Sequence, residues 1–173
     1  MGGTFMQLPP SFSSTNSAPL RISVIITNHN YAHFLRAAVD SVLDQTLPAI
    51  ELIVVDDAST DNSLAVLEAY RNRLMVVRTS GWGQWRAAMA GFSRAVGNII
   101  VFLDADDALT PTALARHAGE FEADRQCAVS QGQMDLIDRH GRALSGCLFM
   151  RRWLSGDLSS PLLLNGRLDH WPY

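Results

Sequence analysis

Residues 99–103 are apolar at every position, and this short run constrains the fold more than any other segment of the chain. A strand without polar alternation must be covered on both faces, which is typical of parallel sheets flanked by helices. Two more runs rich in β-branched residues, 22–27 and 52–55, are each followed by apolar residues at helical spacing. A further short strand is predicted at 75–77. The sequence therefore predicts an α/β fold with a mostly parallel, open sheet flanked by helices.

Helical spacing between these strands predicts which side chains pack against the sheet. In the first helix, predicted over residues 31–43, Tyr31 shares a face with Leu35. In the third helix we expect Trp85 to pack, because aromatic residues that border a helix usually do so. Trp82 lies between two glycines, and both packing and ligand stacking stay open for it.

The C-terminal part of the chain has a less regular pattern. Thr110 and Pro111 favour the start of a fourth helix, because Thr caps free N–H groups and the fixed φ of Pro suits the first helical position. This helix is predicted to continue to about residue 123. Residues 128–137 are predicted to form one more strand, followed by a turn at 138–141.

Composition excludes several classes of protein. All 14 basic residues are arginine, so the chain has no lysine for a P-loop or a Schiff base. The net charge of −3 gives little attraction for nucleic acid, and no nucleic-acid partner is expected. Cys127 and Cys147 predict neither a disulfide framework nor a structural zinc site and fit a reducing, cytosolic environment. No apolar run approaches the ~20 residues that a membrane-spanning helix needs.

Polar side chains follow three of the predicted strands. They are Thr27, Asn28, His29 and Asn30 after the first, Asp56 and Asp57 after the second, and Asp104, Asp106 and Asp107 after the fourth. Because the carboxyl ends of parallel strands form the ligand crevice of open α/β sheets, we expect these groups to lie close together. Like charges ~4 Å apart repel by about 1 kcal/mol in water and about 4 kcal/mol at an effective dielectric of 20. Such an edge favours a bound divalent cation, and Asp104 and Asp106 offer oxygen ligands that suit Mg²⁺ or Mn²⁺.

Each of these side chains also has a simpler interpretation. Asp is common in turns and at helix N-caps, so an isolated Asp-x-Asp such as 104–106 is more often a turn than a metal site. Asp56 fits a helix cap as well as it fits a ligand. His29 has no positioned partner in the sequence and is given no catalytic role. The presence of acids after several strands favours the site over the turns.

Four segments in order, residues 22–30, 41–46, 53–61 and 102–107, resemble the ordered blocks of family 2 glycosyltransferases, which have the GT-A fold. Their joint order and spacing carry the resemblance, which extends over residues 20–137. It implies a Rossmann-like nucleotide-binding half and a nucleotide-diphosphate sugar as donor. It also implies transfer of the sugar to an acceptor hydroxyl with inversion of the anomeric configuration.

The resemblance implies a role for six matching residues, which are Thr27, His29, Asp57 and Asp104 for the donor and Asp106 and Asp107 for Mn²⁺ or Mg²⁺. Thr27 and His29 would border the nucleobase pocket, and Asp57 would accept a hydrogen bond from the base. Asp104 would hold the ribose beside the metal-bound diphosphate. The cation would act as a Lewis acid on the leaving phosphate.

Two features depart from the family pattern. The general base, a carboxylate that deprotonates the acceptor, belongs to an acidic segment well downstream, and neither Asp157 nor Asp169 has that context. We therefore expect the base beyond Tyr173, in a longer protein of which this chain is an N-terminal fragment. Met89 stands where family members commonly have Asn. An alternative hypothesis is a catalytically inactive relative that binds a nucleotide or a carbohydrate.

Three regions are expected along the chain. Residues 1–19, rich in Pro, Ser and Thr, are predicted to be a disordered leader. Residues 20–146 would form the nucleotide-sugar-binding domain, and residues 147–173 would begin an incomplete acceptor-side region. The acceptor is expected to be a saccharide or a lipid-linked molecule, as the resemblance implies. The expected location is the cytoplasm, including the inner face of the membrane.

Overall fold

The computed structural model describes residues 19–124, 126–132, 135–138, 143–147 and 154–155. Most of the expected leader, part of the turn expected at 138–141, and Asp157 and Asp169 lie outside these residues. The chain divides into two compact units, residues 1–119 and residues 120–173. The boundaries expected at residues 20 and 147 stay a prediction.

The first unit alternates strands and helices. Its elements are β1 (Ile22–Asn28), α1 (Ala32–Leu43), β2 (Glu51–Asp57), α2 (Ser63–Glu68), β3 (Met75–Thr79), α3 (Gln84–Phe92), β4 (Ile99–Asp104) and α4 (Ala113–Ala123), within which the unit boundary falls.

The four strands form one parallel sheet in the order β3-β2-β1-β4. The predicted fold, a mostly parallel open sheet flanked by helices, is confirmed. The register pairs Thr27 of β1 with Val55 of β2 on one side and with Asp104 of β4 on the other. Asp57 pairs with Thr79 of β3. All of these residues lie at the carboxyl edge of the sheet.

The core lies where α3 packs on the two central strands. Ile25, Ile53 and Val55 are fully buried there, together with Ala87 of α3. Gly91 allows the close approach, because a Cβ at this position would lie 2.5 Å from the Ile25 Cγ2 atom. Small residues on one face of α3 therefore set its distance from the sheet.

Asp61 stabilises the beginning of two helices. Its Oδ2 accepts a hydrogen bond from the N–H of Ala32 at the start of α1, and its Oδ1 accepts one from the N–H of Ser63 at the start of α2, both at 2.9 Å. The first N–H groups of a helix have no partner within the helix, and a carboxylate also suits the positive end of the helix dipole. One side chain thus positions α1 and α2 together.

Three packing predictions are wrong in the first unit. Trp85 is 75% exposed, because the residues that α3 buries are the small ones on its other face. Tyr31 precedes α1 and is 41% exposed. Phe102 is 53% exposed, because β4 is an outer strand of the described sheet and is not covered on both faces there.

The second unit contains short antiparallel pairs. β5 (Cys127–Val129) pairs with β8 (Leu154–Ser155), and β6 (Asp135–Ile137) pairs with β7 (Ala143–Cys147). The single strand predicted over residues 128–137 is therefore wrong: two strands with different partners occupy that segment. The predicted end of the fourth helix, at Ala123, is confirmed. Within the described part of the chain, no helix is long and apolar enough to cross a membrane.

Candidate functional site

A cleft of about 460 Å³ opens at the carboxyl edge of the sheet. It is lined by five of the six residues that the family resemblance singled out, Thr27, His29, Asp57, Asp104 and Asp106. The strand order explains this, because β1 lies between β2 and β4 and all three strands end at the same edge. Three separate parts of the chain therefore contribute to one opening.

Asp57, at the end of β2, is buried and holds the segment between β3 and α3. Its Oδ1 accepts hydrogen bonds from the Thr79 hydroxyl (2.5 Å) and from the N–H groups of Gly81 (2.9 Å) and Trp82 (2.8 Å), and its Oδ2 accepts one from the Gly83 N–H (2.7 Å). Gly81 and Gly83 have φ of 79° and 84°, a region that favours glycine. This backbone turns three N–H groups toward a single carboxylate.

Two opposing effects act on the pKa of Asp57. Burial raises this pKa. The hydrogen bonds from the Thr79 hydroxyl and from the backbone of the same segment together lower it by more, so that the pKa lies below its usual value. Asp57 is therefore ionised at neutral pH. Among the described residues, Oδ1 has three donors and Oδ2 has one, so Oδ2 is the oxygen that keeps a lone pair for a ligand.

His29 joins the ends of β1 and β2 through its ring nitrogens. Nδ1 lies 2.5 Å from the backbone carbonyl oxygen of Asp57, and Nε2 lies 3.2 Å from the side-chain nitrogen of Asn30. A carbonyl only accepts and an amide nitrogen only donates, so these partners assign the proton to Nδ1. These two contacts hold the imidazole ring in one orientation at the cleft.

Asp56 supports the cleft but does not line it. It is 1% exposed, and its Oδ1 accepts a hydrogen bond from the Asn28 side-chain nitrogen at 2.9 Å. Its Oδ2 accepts one from the Ser59 N–H at 3.3 Å. These contacts favour the simpler interpretation of Asp56, which is that it caps the turn before α2.

Asp104, at the end of β4, accepts two hydrogen bonds on the same oxygen. The Thr27 hydroxyl donates to Oδ1 at 3.1 Å, and the side-chain nitrogen of Gln84 donates to Oδ1 at 2.7 Å. Gln84 is the first residue of α3 and also lines the cleft. The first acid of the Asp-x-Asp segment is therefore fixed from both β1 and α3.

Asp104, Asp106 and Asp107 form an acidic cluster, which is called the acid cluster below. One carboxylate oxygen from each residue lies within 4.8 Å of the others. Burial raises the pKa of Asp107 above its usual value, and the charges of Asp106 and Asp104 raise it further. Both effects make the ionised form of Asp107 costly, and a bound cation would compensate its charge.

The loop that carries the acid cluster is anchored to the end of α1. The buried Gln45 donates to the carbonyl of Thr110 at 2.7 Å and accepts from the N–H of Leu114, in the first turn of α4, at 3.0 Å. The Ser41 hydroxyl accepts a hydrogen bond from the Leu109 N–H at 3.1 Å. These contacts explain why residues 41–46, which lie far from the cleft in sequence, bear on its geometry.

The chemistry of the acid cluster fits a divalent cation. Three carboxylates supply hard oxygen ligands, which suit Mg²⁺ or Mn²⁺. Among the residues that the structure describes, no arginine forms an ion pair with the cluster, and the ion pair between Arg71 and Glu68 does not involve it. The chain also has no lysine that could do so. Asp106 and Asp107, with Asp104, are the residues that would hold the ion.

Sequence reasoning missed several groups that line the cleft. Gln84 and Ala87 bring α3 to it, and Tyr31 lies on its α1 side. Gln84 gives no periodic or compositional signal, because its contact with Asp104 spans 20 positions and depends on the crossing of α3 over the sheet. Met89, where the family commonly has Asn, is half-buried and does not line the cleft. The side chain of Trp82 is 51% exposed.

Known proteins are similar to this chain in sequence and in fold. An uncharacterized glycosyltransferase of Nostoc sp. is 38% identical over 157 residues, which is 88% of this chain and 48% of the relative. The crystal structure of S. aureus TarS in complex with UDP-GlcNAc has a TM-score of 0.56 and 27% identity and covers 62% of this chain and 33% of that one. The mannosyltransferase PcManGT from Pyrobaculum calidifontis, in complex with GDP-Man and Mn²⁺, has a TM-score of 0.57 and 25% identity and covers 64% and 34%.

The chain spans about half or less of the length of the curated relatives it matches first. Residues 23–155 match the family described as Glycosyl transferase family 2. This match covers both the strand ends that form the cleft and the loop that carries the acid cluster. On these grounds the chain belongs to glycosyl transferase family 2.

Proposed function

We propose that the protein transfers a sugar from a nucleotide-diphosphate sugar to an acceptor hydroxyl with inversion, and that this chain carries the donor-binding part. The observation that supports this most is the convergence of Asp57 with Asp104 and Asp106 of the acid cluster at one cleft. A nucleotide-diphosphate sugar carries a base with hydrogen-bond donors at one end and a diphosphate between the ribose and the transferred sugar. The two kinds of acidic group match the base and the cation-bound diphosphate.

In this proposal the nucleobase binds between Thr27, His29 and Asp57. The four donors already on Asp57 leave an acceptor position on Oδ2, so a base N–H would approach that oxygen. Because His29 Nδ1 donates to the Asp57 carbonyl, its ring is held in one orientation beside the base. The structural neighbours are in complex with donors that differ in their base, UDP-GlcNAc in TarS and GDP-Man in PcManGT, and the proposal assigns neither base to this chain.

The diphosphate binds at the acid cluster. Asp104 would hold the ribose, and Asp106 and Asp107 would hold Mn²⁺ or Mg²⁺. When bound, such a cation neutralises charge that develops on the leaving diphosphate. The chain's own groups orient the donor, since Asp104 is fixed by Thr27 and Gln84, and the loop of the cluster is anchored through Gln45.

Inversion requires a carboxylate that takes the acceptor proton as the acceptor oxygen attacks the anomeric carbon from the face opposite the diphosphate. No residue in the described ranges is assigned this role. The acceptor is proposed to be a saccharide or lipid-linked molecule, and the reaction is placed in the cytoplasm, including the inner face of the membrane.

Titration calorimetry of UDP and of GDP, each with Mn²⁺ and with EDTA, tests the donor-binding part. We expect one of the two to bind with Mn²⁺ and to bind much more weakly in EDTA. Asp106→Ala should remove the effect of Mn²⁺, whereas Asp44→Ala, at an exposed acid after α1, should leave it unchanged. Equal affinity with and without the metal contradicts the proposed site.

A second function, that of a catalytically inactive nucleotide-binding relative, is favoured by Met89 and by the unassigned base. The two functions differ in turnover and not in binding. A full-length protein that binds the donor with Mn²⁺ but transfers no sugar to any saccharide or lipid-linked acceptor supports this second function.

A further inference from the structure

Gln84 makes the shortest hydrogen bond to Asp104. Its side-chain nitrogen lies 2.7 Å from Asp104 Oδ1, and the Thr27 hydroxyl lies 3.1 Å from the same oxygen. In the part of the chain that the structure covers, both hydrogen bonds to this carboxylate go to Oδ1. Oδ2 therefore keeps its lone pairs, and the rotation of the carboxylate is set by two neutral donors.

Neutral donors suit this position for an electrostatic reason. Asp104 faces two other carboxylates in the acid cluster, and like charges that are free to rotate turn apart. An arginine would hold Asp104 equally well, but its positive charge would compete with a divalent cation for the cluster. The amide of Gln84 fixes the carboxylate and leaves the negative charge of the cluster intact.

Gln84 is itself held in place by its neighbours in the chain. It follows Gly83, whose N–H donates to Asp57 at 2.7 Å, and it begins a helix that packs closely on β1 and β2 through Gly91. The start of α3 is thus tied to the end of β2, and the Gln84 side chain reaches the end of β4. Asp57 and Asp104 are connected through this short segment.

We infer that Gln84 is a positioning residue, which orients the Asp104 carboxylate so that the acid cluster binds its divalent cation tightly in the presence of a nucleoside diphosphate. This inference rests on the proposed function, because it concerns the cation and the nucleotide that the cleft would hold. It assigns to α3 a contribution to metal affinity that none of the acidic residues provides alone.

The test measures the apparent Kd for Mn²⁺ by electron paramagnetic resonance at a fixed concentration of whichever of UDP and GDP the wild-type chain binds. Gln84→Met keeps the length of the side chain and removes the donor. We expect the variant to bind Mn²⁺ about tenfold more weakly, as befits a lost hydrogen bond to a charged group. Thr27→Val, which removes the other donor to Oδ1, should weaken Mn²⁺ binding in the same direction.

Asn72→Leu is the matched control, since Asn72 is an exposed amide in the turn after α2, away from the cleft. It should change neither the Mn²⁺ affinity nor the thermal midpoint. A merely structural role for Gln84 would instead lower the thermal midpoint in EDTA in parallel with Mn²⁺ affinity, and that result overturns the inference. Unchanged Mn²⁺ affinity in Gln84→Met also overturns it.

The failure of the proposed function is distinguishable from the failure of this inference. If the wild-type chain binds neither nucleotide with Mn²⁺, the proposed function fails and the inference fails with it. If the wild-type chain binds Mn²⁺ with nucleotide and Gln84→Met binds it equally well, only the inference fails.

Discussion

The Gly83 N–H donates a 2.7 Å hydrogen bond to Oδ2 of Asp57, which joins the start of α3 to the end of β2. Three more donors of the same segment, from Thr79, Gly81 and Trp82, converge on Oδ1. An acid expected to contact only a nucleobase therefore also organises the loop that forms one wall of the cleft. If Asp57 also binds the nucleobase, as in the proposed function, the stability of the fold and the affinity for the donor would both depend on this one side chain.

Asp57→Asn should destabilise the first unit. The amide keeps one oxygen but presents a donor where the carboxylate accepted a hydrogen bond, so a backbone N–H of the loop loses its partner. We expect a loss of about 2 kcal/mol in the free energy of unfolding, within the range for a hydrogen bond to a charged group. Urea unfolding followed by tryptophan fluorescence measures it. Asp44→Asn, at an exposed acid, serves as the control, and an equal loss in both variants would refute the explanation.

The stability of the fold should depend on pH through Asp57 and Asp61. For both residues burial raises the pKa, but the hydrogen bonds that the carboxylates accept lower it by more than burial raises it. The folded-state pKa therefore lies below the usual value. The unfolded chain then binds more protons, and stability rises with pH in this range. The stabilisation is present above the ordinary carboxyl pKa of about 4 and is lost as the pH falls through the lowered values.

Urea midpoints measured between neutral pH and pH ~3 check this dependence on carboxyl titration. The wild-type midpoint should fall steeply below pH ~4, and the fall should be smaller in Asp57→Asn, which lacks the titrating group. An identical pH dependence in wild type and variant would contradict the assignment.

Asp107 should have the opposite effect on stability. Burial, and then the charges of Asp106 and Asp104, raise its pKa, so the folded state binds this proton more tightly than the unfolded state. Its contribution is favourable below the ordinary carboxyl pKa and is lost as the pH rises toward the folded-state value. Asp107→Asn should therefore be more stable than the wild type at neutral pH in EDTA and equally stable near pH 3, about one unit below the ordinary value.

Mn²⁺ with nucleoside diphosphate should reverse that order at neutral pH. A ligand that binds only the folded state stabilises it according to its affinity, and the wild type keeps all three carboxylates. Thermal unfolding with and without Mn²⁺ measures both effects. If Asp107→Asn is less stable than the wild type in EDTA, the charge of Asp107 does not destabilise the folded state, which contradicts the prediction.

Gly91 and Gly119 form a matched pair of helical glycines. A Cβ on Gly91 would lie 2.5 Å from Ile25 and 3.0 Å from Val55, whereas a Cβ on Gly119 meets no atom of the described residues within 4 Å. Gly91→Ala should cost about 1–3 kcal/mol, because α3 must move away from the sheet. Gly119→Ala should be neutral or stabilise by up to about 1 kcal/mol through helix propensity. Chemical denaturation of both variants checks the difference, and equal effects would contradict the close packing of α3.

The convergence of Thr27, Asp57 and Asp104 followed from the sequence because it requires only parallel strands. Such strands end at one edge whatever their order, so acids that follow them meet there. The direction in which each side chain points could not be predicted from the sequence. Asp56 and Asp57 are adjacent, yet Asp56 supports the turn and Asp57 lines the cleft, and nothing in the local sequence separates the two.

Helical periodicity gave a wrong prediction of the buried face of α3, where small residues decide the packing. In α3 the aromatic Trp85 was expected to face the sheet, but Ala87, Ala88 and Gly91 do so, because the helix approaches β1 too closely for a large side chain. The contact between Gln84 and Asp104 could not be predicted from the sequence for a related reason. Its role depends on where the start of α3 lies over the sheet, which is a property of the tertiary structure.

The central claim is that the acid cluster holds a divalent cation together with the diphosphate of the donor. A crystal of the chain soaked with Mn²⁺ and its preferred nucleoside diphosphate tests it most directly, through anomalous difference density. The account predicts a single strong peak within coordination distance of Asp106 and Asp107, with the diphosphate on its other side and the base near Asp57. A nucleotide bound in the cleft with no peak at these carboxylates, or a peak elsewhere, would contradict it.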